Sequence, residues 1–433
     1  MPPHPSYHSK YYLISVLALG NFDKYGDPMS NFLLSKKNNL QCMFFPMTNV
    51  IQNYAWGSYS SFEQLFGIDN PAEEPQAEIW MGAHPSGCST VFTNEKKIKL
   101  SNLINKNKHL YLGKEIANKF GELPYLFKIL AAEKALSIQV HPSKSQAEEG
   151  FELENKQGIH FTAGNRNYKD ANHKPELVYA LTDYQAMNGF RPITEIIAYF
   201  SKLNITELAS LLYELETNRT SHGLANFFSG LLTLEGNKKE KALCSLLDKA
   251  EKSKDLIFEL IIELAAQYPK DVGLFSPLIL NTITLKPGQA MYLDAQTPHA
   301  YLKGTGLEIM ANSDNVLRAG LTPKYIDIKE LISCTLFDEK PIESLLLAPV
   351  ESDHILDYPI PVDDFKFCIM QYSQHRTIGI AGAEILLALD GKMLLKHKSG
   401  ESCEINRGQS VFIPAYTEQY TISCQGRVAR AYS

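Results

Sequence analysis

Two imidazoles and a carboxylate are the residues of this chain best suited to chemistry. They lie in Leu136-Ser137-Ile138-Gln139-Val140-His141-Pro142, in His173-Lys174-Pro175-Glu176 and in Thr297-Pro298-His299-Ala300-Tyr301. His141, Glu176 and His299 together form a donor set that suits zinc held with one position open to water or substrate. Gln139 sits two residues from His141 and shares its face on a strand, but donor softness alone leaves it a neighbour rather than a ligand. Cations accompany the set. Lys128 lies in the apolar run Leu126-Phe127-Lys128-Ile129-Leu130, where an ammonium needs a partner, and Lys174, Arg318 and Lys324 occur beside the other motifs. Arginine binds phosphate bidentately and lysine adds a compact charge, so a zinc site ringed by them fits a phosphorylated substrate.

The elements that must position these groups are strands. Alternation from Leu136 to His141 predicts one that turns Ser137, Gln139 and His141 to one face and Leu136, Ile138 and Val140 to a core, with Pro142 ending it. Short strands punctuated by turn residues continue from Met43 to about Pro192, and the chain's tryptophans, Trp56 and Trp80, fall among them. From Ile193 to about residue 274 the period changes. Ile205, Leu208, Leu212 and Leu215 recur at helical spacing, which predicts an all-helical insertion of three to five helices. Strands return after Pro277.

An internal repeat accompanies them. Gly288-Gln289-Ala290-Met291-Tyr292-Leu293 aligns with Gly408-Gln409-Ser410-Val411-Phe412-Ile413 at a constant offset of 120. Each copy reads as turn, buried strand, turn, the unit of double-sheet jelly rolls, and implies two related barrels. At the end of the aligned segments His299 faces Gln419, and no His-Pro strand precedes the second copy, so only the first barrel is equipped for metal. The expected fold class is therefore mainly β with a helical insertion, a cupin-type double barrel plus an all-α domain. Residues 43–192 and 275–335 should form the catalytic barrel, 193–274 the helical domain and 336–433 a metal-free barrel.

Composition bounds the function. The 433 residues carry a net charge of −6, 44% hydrophobic and 21% charged residues, an ordinary soluble balance that would repel a nucleic-acid backbone. The 7 cysteines are scattered and odd in number with no C-x-x-C spacing, which predicts free thiols in the reducing cytoplasm. Residues 1–42 read as an extension, disordered or loosely attached, or translated from a start upstream of the native one, with Met43 or Met47 opening the folded part. Its run Tyr11–Gly20 resembles the core of a signal peptide but is too short to span a bilayer.

Tyr54-Ala55-Trp56-Gly57-Ser58, Leu136 to Pro142, Tyr168-Lys169-Asp170-Ala171-Asn172-His173-Lys174-Pro175-Glu176, Gly189-Phe190-Arg191-Pro192 and Asn312 to Asp327 occur in this order. The set resembles the type I mannose-6-phosphate isomerases from about residue 47 to the end. The resemblance implies one zinc ion per chain, held by Gln139, His141, Glu176 and His299, and so gives Gln139 a role. It also implies Arg318, Lys174, His173 and Asp314 as catalytic groups and Trp56, Lys128 and Ser137 at the substrate. The reaction implied interconverts mannose 6-phosphate and fructose 6-phosphate through a cis-enediol, supplying mannose for GDP-mannose synthesis or catabolism. The partner is then a small sugar phosphate, with no nucleic acid or membrane, and the chain acts as a monomer. The catalytic base is open among His173, Lys174 and Asp314, and the phosphate among Ser137, Lys128 and Arg318. Val140 between two ligands, where a smaller residue is common, and Met187-Asn188 before Gly189 depart from the family pattern. Rival readings are another metal-dependent cupin enzyme, such as an iron oxygenase, and a non-catalytic sugar-binding cupin.

Overall fold

The computed structural model describes residues 42–93 and 96–433. The expected N-terminal extension, apart from Cys42, lies outside the described residues.

The organising strand is His299–Ala311, which belongs to both layers of the first barrel. Its first part pairs with Tyr184–Phe190 and, through His299, with Gln139; its second part pairs with Tyr125–Ala132 and Glu176–Ala180. The change of sheet falls at Gly304, whose φ of 119° and whose distance of 2.3 Å from a would-be Cβ to the Asp183 carbonyl exclude any other residue. One strand thereby brings His299 and Glu308 into the same barrel.

Alternation along the strands sorts side chains into two compartments. Leu130, Ala132, Val178, Ala180, Tyr184, Met291, Leu293 and Tyr301 fill one end of the first barrel. Phe127, Ile129, Leu177, Tyr179, Leu307 and Ile309 point outward and share a core with Phe367, Ile369, Ile385, Leu387 and Phe412 of the C-terminal sheet. The two β parts are thus packed through a common apolar layer, and Phe45 joins them by pairing with Phe412.

The repeat is reproduced atom for atom at its turn. Gly288 and Gly408 both have positive φ, 92° and 78°, and the side-chain oxygens of Gln289 and Gln409 accept from the backbone N–H of Lys286 and Asn406 at 2.8 and 3.1 Å. Strands Ala290–Leu293 and Ser410–Ile413 follow.

Between residues 193 and 267 run the helices Ile193–Leu203, Ala209–Thr217, Ser221–Leu232, Gly236–Ala250 and Leu256–Gln267. Thr220 and Asp255 cap two of them by accepting from Gly223 and Ile257. Their apolar faces form one core with Ile138, Val140, Met187, Phe190, Ala300 and Leu317 of the barrel. Val140 and Met187 therefore face the helices, and these two departures from the family pattern are absorbed in packing. Phe190 is the pin of this layer, stacked on Phe337 at 5.2 Å and meeting Phe228 edge-on at 5.6 Å. Phe190→Ala should cost about 3–5 kcal/mol of unfolding free energy. A urea midpoint equal to that of the unsubstituted protein would show that the helical layer does not depend on this contact.

Candidate functional site

His141, Glu176 and His299 converge in the first barrel, and their ligand atoms lie within 4.8 Å of one another. His141 Nε2 is 3.2 Å from Glu176 Oε1, and His299 Nε2 is 3.3 Å from Glu176 Oε2. All are buried. The other ring nitrogens decide the tautomers. His141 Nδ1 faces the carbonyl of Asn315 at 2.6 Å and His299 Nδ1 the carbonyl of Thr297 at 2.8 Å. A carbonyl only accepts, so both Nδ1 atoms carry the proton and both Nε2 atoms present lone pairs to a carboxylate. Those Nε2 atoms are buried without a hydrogen-bond partner among the described residues, and Glu176 Oε1 is met by the Lys174 ammonium alone. Three negative-ended donors aimed at one another are unfavourable alone and suited to a divalent cation with carbonyl-oriented histidines.

The remaining expected residues gather around this group. Gln139, buried, is the Cα partner of both His299 and Arg318, so the three share one face of adjacent strands. Lys174 Nζ lies 2.9 Å from Glu176 Oε1, and the Tyr301 hydroxyl donates to Glu176 Oε2 at 3.0 Å. Burial alone would raise the Glu176 carboxyl, but Lys174 and His141 outweigh it and hold it well below the usual carboxylate range. Burial, reinforced by the Lys174 charge, pushes the His141 imidazole down to about 4. Neutral imidazoles beside an ionised carboxylate are the protonation states that metal binding requires.

Lys128 is buried between Glu308 at 2.8 Å and Glu78 at 3.4 Å, with Trp80 beneath it at 5.3 Å and the Trp80 N–H donating to Glu78 at 2.7 Å. Burial disfavours the ammonium, yet Glu308 and Glu78 more than offset it and raise its pKa. One cation facing two carboxylates leaves the second carboxylate in excess, and burial pushes Glu308 upward. Arg318 is different. It is half-buried, makes no ion pair among the described residues, and its charge bears on exposed Lys324, as does that of Lys169. Among the described residues this cation cluster has no counter-ion of its own.

His173 Nε2 lies 3.1 Å from both carboxylate oxygens of buried Asp364, which fixes the proton on Nε2 and leaves Nδ1 with the lone pair. The backbone N–H of Asp314 donates to Asp170 at 2.7 Å. Trp56 is half-buried and meets Tyr54 at 5.7 Å. Ser137 precedes the strand rather than joining it: the ladder spans only Ile138–Val140, because Leu136 turns its N–H to the carbonyl of Tyr301.

Sequence reasoning passed over Glu78, Glu308, Tyr301 and Asn315. Glu308 carried the same signal as Lys128, a charge inside the apolar run Leu307-Glu308-Ile309. Asn315 gave none, since it acts through its carbonyl on His141 and through its side chain, which clamps Lys169, Asp170 and Asn172.

Comparison with known proteins agrees with this geometry. Residues 44–193 match the type I phosphomannose isomerase catalytic domain, 200–280 its helical insertion domain, and 354–433 the mannose-6-phosphate isomerase cupin domain. A mannose-6-phosphate isomerase of Salmonella typhimurium is 46% identical over 89% of this chain and 99% of its own length, and that of Escherichia coli is 45% identical over 89% and 99%. The human enzyme is 35% identical over 86% and 93%. A zinc-bound crystal structure of mannose 6-phosphate isomerase superposes with a TM-score of 0.87 at 45% identity, covering 90% of this chain and all of that one.

The His141 shift makes acid stability testable. In unfolded chains this histidine takes a proton near pH 6.5, whereas in the folded, metal-free protein it resists until about 4. Its contribution is present above pH 6.5 and lost as the pH falls through that window. After chelation, the urea midpoint should decline across this range, and His141→Gln should flatten the decline; an unaltered slope would remove this account of the buried imidazole.

Proposed function

Because this chain belongs to the type I phosphomannose isomerase family, we propose that it is a zinc-dependent isomerase interconverting mannose 6-phosphate and fructose 6-phosphate. The observation that carries the reading is the pair of carbonyl-locked imidazoles presenting lone pairs to Glu176. His141, Glu176 and His299, with Gln139 beside them, would hold the zinc, which when bound supplies a Lewis acid for the substrate oxygens. Neither an iron oxygenase nor a non-catalytic binding protein draws support from these relatives.

The chain's own groups divide the rest. Isomerisation moves a proton between C2 and C1 and passes negative charge to the adjacent oxygen, so it needs a base near the carbon and cations near the oxygen. Lys128 is neutralised by Glu78 and Glu308 and is a poor phosphate anchor. Arg318, with Lys324 and Lys169, retains uncompensated positive charge, which favours it for the phosphate or the developing oxyanion. His173 offers a free Nδ1 lone pair, while Lys174 is engaged by Glu176, so His173 is the better base and Lys174 a donor that keeps Glu176 ionised. Trp56 and Ser137 are assigned to the substrate by their match to the family's motifs.

All 7 cysteines are free thiols, which supports a reducing, cytoplasmic setting, and we read the chain as a monomer supplying mannose for GDP-mannose synthesis or catabolism. No helix among the described residues is long and apolar enough to cross a membrane.

A coupled assay following fructose 6-phosphate from mannose 6-phosphate should show turnover that disappears on chelation and returns with zinc. His299→Ala should lose metal and activity while keeping its circular dichroism, and normal zinc content with normal turnover in that variant would sink the site. Arg318→Ala should lower kcat/KM by about 10²–10³-fold; an unchanged value would place the anion elsewhere.

A further inference from the structure

His84 was not among the expected site residues, yet the fold buries it to 5% exposure beside them. It follows the strand Glu78–Met81, whose Trp80 lies against Lys128 and meets the His84 ring edge-on at 5.1 Å. Its Nδ1 accepts the backbone N–H of Ser86 at 3.2 Å. An accepting Nδ1 leaves the proton on Nε2, and that atom faces Asp314 Oδ1 at 3.6 Å. The tautomer is therefore opposite to that of His141 and His299: here the ring offers a donor, not a lone pair.

Asp314 is the carboxylate this donor addresses. Its side chain is 39% exposed, in contrast to the buried Glu78 and Glu308. Its backbone is pinned to Asp170 at 2.7 Å, and Ser313 donates to the same Asp170 at 2.9 Å. The main chain is fixed, but the carboxylate is steered only by what faces it. The charges facing His84 are Asp314 and Asp170, which favour its protonation, and Lys128 and Lys174, which oppose it; burial is the largest influence and holds the imidazole below its usual range. At neutral pH the ring is uncharged and presents one N–H toward Asp314.

We propose that His84 is a positioning residue whose Nε2–H orients the Asp314 carboxylate so that its other oxygen exchanges a proton with the substrate. The proton is that of a substrate hydroxyl: Asp314 takes it from one substrate oxygen and returns it to the neighbouring one with no net change of charge, while His173 serves the carbon-bound proton. At 3.6 Å the N–H is aimed at the carboxylate from just beyond hydrogen-bond length, and catalytic contacts of this kind tighten around bound substrate. This inference rests on the isomerase reading.

The test is a double-mutant cycle in the isomerase assay, using zinc-loaded full-length protein with zinc content and melting temperature recorded for each variant. His84→Ala should lower kcat by about 10- to 100-fold with little change in KM, the scale of a misplaced catalytic group. His84→Gln, which restores an N–H donor, should recover most of that loss. In Asp314→Asn, adding His84→Ala should cost little further. Losses that multiply in the double variant, or equal losses in His84→Ala and His84→Gln, would overturn the proposal while leaving the isomerase intact. Absence of turnover in the unsubstituted zinc-loaded protein would instead overturn the isomerase reading and this role with it.

Discussion

Two lone pairs directed at a carboxylate are the constraint around which the first barrel is arranged. His141 and His299 cannot relieve the contact by changing tautomer, because the carbonyls of Asn315 and Thr297 hold the Nδ1 protons. Nor can Glu176 readily take a proton, since Lys174 lies 2.9 Å from it. The cost of keeping these groups together falls on the scaffold: strand His299–Ala311 pairs on both sides, and a fully buried Asn315 ties the Lys169–Asn172 loop to the histidine it orients. Buried polar groups left in this state are expensive in a closed core. They are appropriate in a site completed by a cation.

A second charge problem lies nearby and has a different solution. Lys128, Glu78 and Glu308 bring one positive and two negative groups into the barrel, and Trp80 adds its ring beneath the ammonium and its N–H to Glu78. Removing Lys128 would strand two buried carboxylates, so the lysine is bound to the wall of the site and its charge is spent there. Arg318 keeps its charge available because its strand register puts Gln139, an uncharged partner, opposite it. The same kind of residue thus serves structure in one place and recognition in the other, and counter-ions decide which.

Much of this was legible in the chain and some was not, for identifiable reasons. His141, Glu176 and His299 could be selected by residue type, since few side chains suit zinc. Gln139 could not: only the family resemblance gave it a role as a zinc ligand, and its register opposite His299 and Arg318 depends on strand pairing that residue type does not reveal. The burial of Lys128 was foreseeable from its apolar run, but its partners stand 50 and 180 residues away, beyond any local pattern. The alternation from Leu136 to His141 predicted a longer strand than Ile138–Val140 because it says nothing about ladder partners, and the N–H of Leu136 is taken by Tyr301. Asn315 acts through its carbonyl and His84 through a tautomer set by Ser86, and neither device has a sequence signature.

The two barrels show what happens to the same architecture when the metal donors are absent. Their turns match down to the glutamine that closes each one, and the strands that follow are equivalent. His299 is buried, whereas its counterpart Gln419 is exposed after a turn in which Glu418 has a φ of 60°. The second barrel still buries a carboxylate, Glu384, but gives it Arg430 at 2.7 Å through Nε and 2.6 Å through Nη2. A guanidinium supplied by the chain itself balances the charge of that carboxylate. In the first barrel Glu176 has Lys174 beside it but also faces the lone pairs of two imidazoles, and that donor set, rather than the fold the barrels share, separates a reactive site from a structural one.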